Sequence, residues 1–106
     1  LEFHDLVKII GRLTENFNDQ LADHDIRVIL APSIQNLILD HAHTEVSGGR
    51  GLRRAFERIV ITAYAEHSLT RRGNIKGAWL LEHKNNQLVW SLEFAPQKYL
   101  PASKVS

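Results

Sequence analysis

Leu6, Ile9, Ile10, Leu13, Phe17 and Leu21 recur at spacings of three and four, one apolar stripe that predicts a helix over about residues 3–22. Gly11 and the Asn16-Phe17-Asn18 stretch lower its intrinsic propensity, so packing has to hold it. Ile26-Arg27-Val28-Ile29-Leu30 is a β-branched run between an acidic stretch and Ala31-Pro32, and it reads as a strand. Pro32 suits the first turn of a second helix, where its missing N–H has no intrahelical acceptor to lose, and Ile34, Leu37, Ile38 and Ala42 point inward. Ser47-Gly48-Gly49 is the clearest break in the chain. After it, Leu52, Ala55, Phe56, Ile59, Val60, Ala63 and Tyr64 follow the i, i+3, i+4 rule and predict a third helix, ended by the stretch 71–74. Its other face carries Arg53, Arg54, Glu57, Arg58 and Glu66.

A hairpin follows. Residues 78–83 and 87–94 flank Lys84-Asn85-Asn86, and asparagine tolerates the left-handed backbone of a tight turn. Leu88, Trp90, Leu92 and Phe94 alternate with Val89, Ser91 and Glu93, which predicts one buried and one exposed face. From Ala95 the chain has two prolines and no period, so residues 95–106 read as a flexible tail behind a domain of residues 1–94. The order helix, strand, helix, helix, strand, strand predicts a small α+β domain with a three-stranded sheet packed on helices.

Composition narrows the picture. At 106 residues and 43% hydrophobic content this is one small globular domain. The absence of cysteine excludes a disulfide framework and a thiolate zinc site, and it fits a cytoplasmic protein. No apolar run approaches the roughly 20 residues of a membrane span, and no signal peptide is visible. The chain opens on Leu1 and holds no methionine, which reads as a piece cut from a longer protein.

Charge is unevenly spread. Residues 1–47 carry eight acids against Lys8, Arg12 and Arg27, a balance of −5. Residues 48–76 carry Arg50, Arg53, Arg54, Arg58, Arg71, Arg72 and Lys76 against Glu57 and Glu66, a balance of +5. Such a segment suits an anion or an acidic neighbour, or a solvated helix face with internal pairs. Arg50 stands out because it opens a helix, where the macrodipole is already positive and a cation costs up to about 1 kcal/mol. The arrangement makes sense with an anion bound, since free N–H groups and a guanidinium both favour phosphate. On the residues alone it reads rather as an exposed arginine paired with an acid of another element.

The stretch Ser47-Gly48-Gly49-Arg50-Gly51-Leu52-Arg53-Arg54-Ala55-Phe56 resembles the glycine–alanine–arginine–proline–leucine–basic–arginine motif of the Clp chaperone ATPases (ClpA, ClpB, ClpC and relatives). There the motif opens a helix of the small lid domain of the last AAA+ module. Leu21-Ala22-Asp23-His24-Asp25-Ile26 is similar to the family's run into its first strand, and Leu6-Val7-Lys8-Ile9-Ile10 to the start of its linker helix. The likeness covers about residues 3–94. Gly49 stands where the family has alanine and Gly51 where it has proline, and Ala42-His43-Thr44-Glu45-Val46-Ser47 replaces a glycine–tyrosine–aspartate–proline stretch, which marks a divergent branch.

The resemblance implies that Arg50 is the sensor-2 arginine, touching the terminal phosphates of magnesium-bound ATP held by a large domain of the same chain. Gly48 and Gly49 would form its supporting turn, and Ile9 and Ile10, otherwise plain core, would help wall the adenine pocket. Arg53, Arg54 and Arg58 would serve a subunit interface in a hexameric ring that unfolds client proteins. The domain would be no enzyme by itself, for this sequence has no G-x-x-x-x-G-K-[ST] loop and no strand ending in paired acids.

A metal site is not expected. Asp40-His41-Ala42-His43-Glu45 offers ligand types, but histidines two apart on a helix point to different sides. His67 and His83 read as solvent or rim residues, and Trp79 and Trp90 as sheet or core aromatics. The alternative function is a basic nucleic-acid-binding module over residues 50–76, which lacks the interleaved exposed aromatics that base stacking requires.

Overall fold

In the computed structural model, which describes residues 3–43 and 48–95, the first apolar stripe becomes helix α1 (Phe3–Leu21). A short 3₁₀ turn (Ala22–His24) ends on Asp25, whose φ of 59° reverses the chain into strand β1 (Ile26–Leu30). Helix α2 (Pro32–His43) follows, then α3 (Gly48–Phe56), a π turn (Glu57–Ile61) and α4 (Thr62–Thr70). Strands β2 (Gly77–Lys84) and β3 (Gln87–Phe94) close the fold. The sheet order is β1-β2-β3, with β1 parallel to β2 from Ile26↔Gly77 to Leu30↔Leu81 and β2 antiparallel to β3. Asn85 and Asn86 form the two-residue turn at φ 51° and 61°, the left-handed pair that matches the twist of a hairpin. The predicted α+β class and three-stranded sheet are what the structure shows.

One continuous third helix was the expectation, and the π turn corrects it. The buried stripe runs Leu52, Ala55, Phe56, Ile59, Val60, Ala63 and on to half-buried His67. At about 100° per residue a uniform α-helix would already hold all seven on one face, with His67 falling between Phe56 and Val60. The wider turn is seen in its bonding: the Thr62 N–H reaches the Glu57 carbonyl five residues back.

The core fills the space between one sheet face (Ile26, Val28, Trp79, Leu81) and the helices (Ile10, Phe17, Ile34, Ile38, Leu52, Val60). Phe17 packs edge-on against Phe56, with ring centroids 6.3 Å apart, and against Tyr64 at 5.3 Å. Helix α1 lies on α3 and β1, and α2 on α3 and β2.

The outer edge of β1 is closed by a side chain. Asn18, 4% exposed, donates from Nδ2 to the Val28 carbonyl at 2.9 Å and accepts from the Val28 N–H through Oδ1 at 2.8 Å. It thus supplies both bonds that a neighbouring strand would make. The opposite edge differs from expectation. Of the predicted buried face of β3 only Trp90 is partly covered, while Leu88, Leu92 (50%) and Phe94 (46%) are exposed. The strand lies at the sheet margin, and its register slips by one residue between Ala78 and Trp79, a bulge that splays its end.

Helix α4 ends in a Schellman arrangement. The Gly73 N–H bonds to the Ser68 carbonyl at 2.8 Å and the Arg72 N–H to the Leu69 carbonyl at 3.1 Å. The left-handed C′ position falls on Arg72, at φ 53°, and Gly73 after it is left-handed too, at φ 77°. The Arg72 Cβ carries a strain that glycine lacks, so Arg72→Gly is expected to stabilise the fold by about 0.5–1 kcal/mol. A thermal melt checks this, and a midpoint equal to or below the parent's contradicts it.

Candidate functional site

The basic segment is built on α3. Leu52, Ala55 and Phe56 are buried and seat the helix, which fixes the other side outward. Arg50, Arg53 and Arg54 are exposed there, and Arg58 continues the strip on the π turn. Spacings of three and four bring these guanidinium groups onto one side of the helix. No acid stands in the first turn of α3 to offset them. The start of the helix also carries N–H groups without intrahelical acceptors, so positive dipole and positive side chains coincide.

Gly48 and Gly49 do not form a turn before the helix; they are its first two residues. The break expected at Ser47 lies outside the described residues, as do Thr44, Glu45 and the tail beyond Ala95. Ile10 is only 1% exposed and belongs to the centre of the core, whereas Ile9 packs at the core's margin, half-buried. The two isoleucines therefore do not share a surface.

A groove of about 580 Å³ opens beside them, lined by Phe3 and Leu6 from the start of α1 and Asn36, Leu39 and Asp40 from α2. Its walls are mainly apolar, with Asn36 and Asp40 at the polar side. Helix α2 runs from this groove to His43, and α3 begins five residues later, a step no longer than about 20 Å. An apolar groove and a cationic helix start are thus joined by one short link.

His41 Nδ1 lies 3.0 Å from the Leu37 carbonyl, an ordinary backbone contact within α2. Among the described residues no group of three or more His, Asp or Glu is gathered to hold a metal ion. No helix of the described residues is long and apolar enough to cross a membrane.

Two positions were misread from the sequence. Asn18, taken as a weak point of its helix, is the cap of β1. His67, taken as a rim residue, is half-buried between Trp79 and Trp90. In both cases position on the apolar stripe was the available signal, for Asn18 lies eight residues after Ile10 and His67 seven after Val60.

Against known proteins, the family profile of the C-terminal, D2-small domain of ClpB protein matches residues 1–78. None of the curated proteins compared with the chain matches it.

Proposed function

The chain belongs to the family of C-terminal, D2-small domains of ClpB protein, and on that premise we propose that it is the ATP-sensing lid of a ring-forming Clp-type chaperone. A Clp-type C-terminal domain is a lid of an AAA+ ATPase, not itself a catalytic module. The chemistry then resides in a large domain, and this chain supplies one cation, one apolar wall and a docking surface. Residues 1–94 would form that lid and residues 95–106 a tail.

The observation that carries the reading is Arg50 at the start of α3, exposed, with no acid in the helix's first turn. A guanidinium beside free helix N–H groups is a site for phosphate oxygens. Phosphates of ATP satisfy it, and magnesium would come with them on the large domain. The apolar groove at Phe3 and Leu6, with Ile9 one turn further along α1, supports a place for the adenine ring. Ile10 would act only from behind, through the core. Rigid attachment of α3 to α1 and α2 lets a change at the phosphate move the whole lid. The direct test is ATP turnover by the complete protein carrying Arg50→Ala: turnover equal to the parent's would remove the reading.

Ring assembly is the second half of the proposal. Arg53, Arg54 and Arg58 extend the exposed strip away from Arg50 and suit an acidic surface on the next subunit. The double variant Arg54→Glu, Arg58→Glu is expected to weaken assembly by about 10-fold or more, since like charges set against each other at an interface are costly. Sizing of the complete protein reads this, and an undiminished ring mass at low protein concentration would sink it.

A further inference from the structure

His67 lies in the last turns of α4, held between both tryptophans of the hairpin. Its ring centroid is 4.4 Å from that of Trp79, at an interplanar angle of 72°, and 4.9 Å from that of Trp90, stacked at 15°. Its Nε2 is sealed from solvent and has no hydrogen-bond partner. Arg71, one turn on, places its guanidinium 5.1 Å from the Trp79 ring centre, and its Nε donates to the Asn74 carbonyl. The Trp79 indole N–H is fixed on the Ile75 carbonyl at 2.9 Å.

A neutral imidazole suits this slot, because one ring nitrogen then needs no acceptor. An imidazolium does not. Both its nitrogens must donate, and Nε2 faces a place with no acceptor among the described residues. Indole faces attract cations, but Arg71 already stands over Trp79. Burial, and then the Arg71 charge, push the His67 pKa below the usual imidazole value.

Among the described residues, Arg71 is the charge that bears on His67, and it opposes a proton there. On α4, Glu66 is exposed, and the Tyr64 hydroxyl, one turn back, is pushed up by burial and stays neutral. On β2, Glu82 and Lys84 alternate onto the other sheet face, where they pair at 3.4 Å. His83 shares the face of Trp79 but lies four residues, about 13 Å, along the strand. On β3, Glu93 is exposed beside the bulge.

We propose that His67 is a proton-operated latch between α4 and the β2–β3 hairpin, holding Trp79 and Trp90 when neutral and releasing them when protonated. The folded domain takes this proton less readily than the unfolded chain does. The latch is therefore at full strength above the ordinary imidazole pKa of about 6.5 and weakens as pH falls below it.

The test follows the two indole N–H resonances and the tryptophan emission of the whole chain between about pH 7.5 and 5. Both tryptophans are expected to report one transition with a midpoint below about 6.5, lost in His67→Phe and kept in His83→Gln. Should the phenylalanine variant not fold, His67→Gln serves, being polar and non-titrating. The same transition in the His67 variant, its loss in His83→Gln, or no transition in the parent each overturns the latch.

Discussion

Replacing Asn18 by alanine is expected to lower the domain's stability by about 2–4 kcal/mol, far more than an asparagine in an exposed helix turn would cost. The side chain is buried and partners both polar groups of Val28. Its removal leaves a buried N–H and C=O without that partner, each at about 1–3 kcal/mol. In a domain this small each kilocalorie moves the melting midpoint by roughly 4–8 °C, so the fall should be 10 °C or more. Asn18→Asp separates the two bonds. The carboxylate still accepts from the Val28 N–H, but it has no hydrogen to give the carbonyl, and it brings a charge into the core's margin. It should therefore destabilise as well, and recover in part as acid protonates the carboxyl. Chemical denaturation of both variants, with hydrogen exchange at the Val28 amide, reads the effect. An alanine variant within about 0.5 kcal/mol of the parent would mean that water or a shifted strand satisfies Val28 instead.

Those two hydrogen bonds also mark the limit of what the sequence could tell. Element order and type were legible because Leu6, Ile10, Leu13, Phe17 and Leu21, and again Leu52 through Ala63, keep helical spacing that few other structures satisfy. Asn85-Asn86 declared the hairpin by backbone chemistry. The faces of β3 were not legible, since alternation says which residues share a side and not whether anything covers that side. Leu88 and Leu92 share a side with Trp90, yet the helices reach only Trp90, and the bulge sets Phe94 opposite Ala78 on the other side. The π turn was hidden because the stripe from Leu52 to Ala63, and His67 after it, fits an α-helix, so one widened turn leaves no mark on the apolar spacing.

The candidate site was legible in part. Gly48, Gly49 and Arg50 were found from composition and position, but the glycines were read as a turn and belong to the helix. That difference matters physically. With Gly48 and Gly49 inside the first turn, their N–H groups are among those without an intrahelical acceptor, and no Cβ stands beside them. The sequence could not separate Ile9 from Ile10, because adjacent helix positions differ by about 100° and either might have faced the core.

Arg50→Ala in the complete ATPase is expected to cut ATP turnover by about 10²–10³-fold, the usual loss when one preorganised cation or donor is taken from a transferring phosphoryl group. The effect should fall on ATP rather than ADP. A guanidinium aimed at the terminal phosphate has nothing to hold once that phosphate leaves, so ADP affinity should change by less than about 3-fold. Arg50→Lys keeps the charge but loses the planar fork, and should recover only part of the activity. Stability supplies the control. Arg50 is exposed and sits against the helix dipole, so in the chain alone its removal should leave the melting midpoint unchanged or slightly raised. A loss of turnover with intact folding and intact ADP binding assigns Arg50 to the terminal phosphate. Equal loss of ATP and ADP binding would move its contact to the inner phosphates, and a fallen midpoint would make it a structural residue of α3 instead.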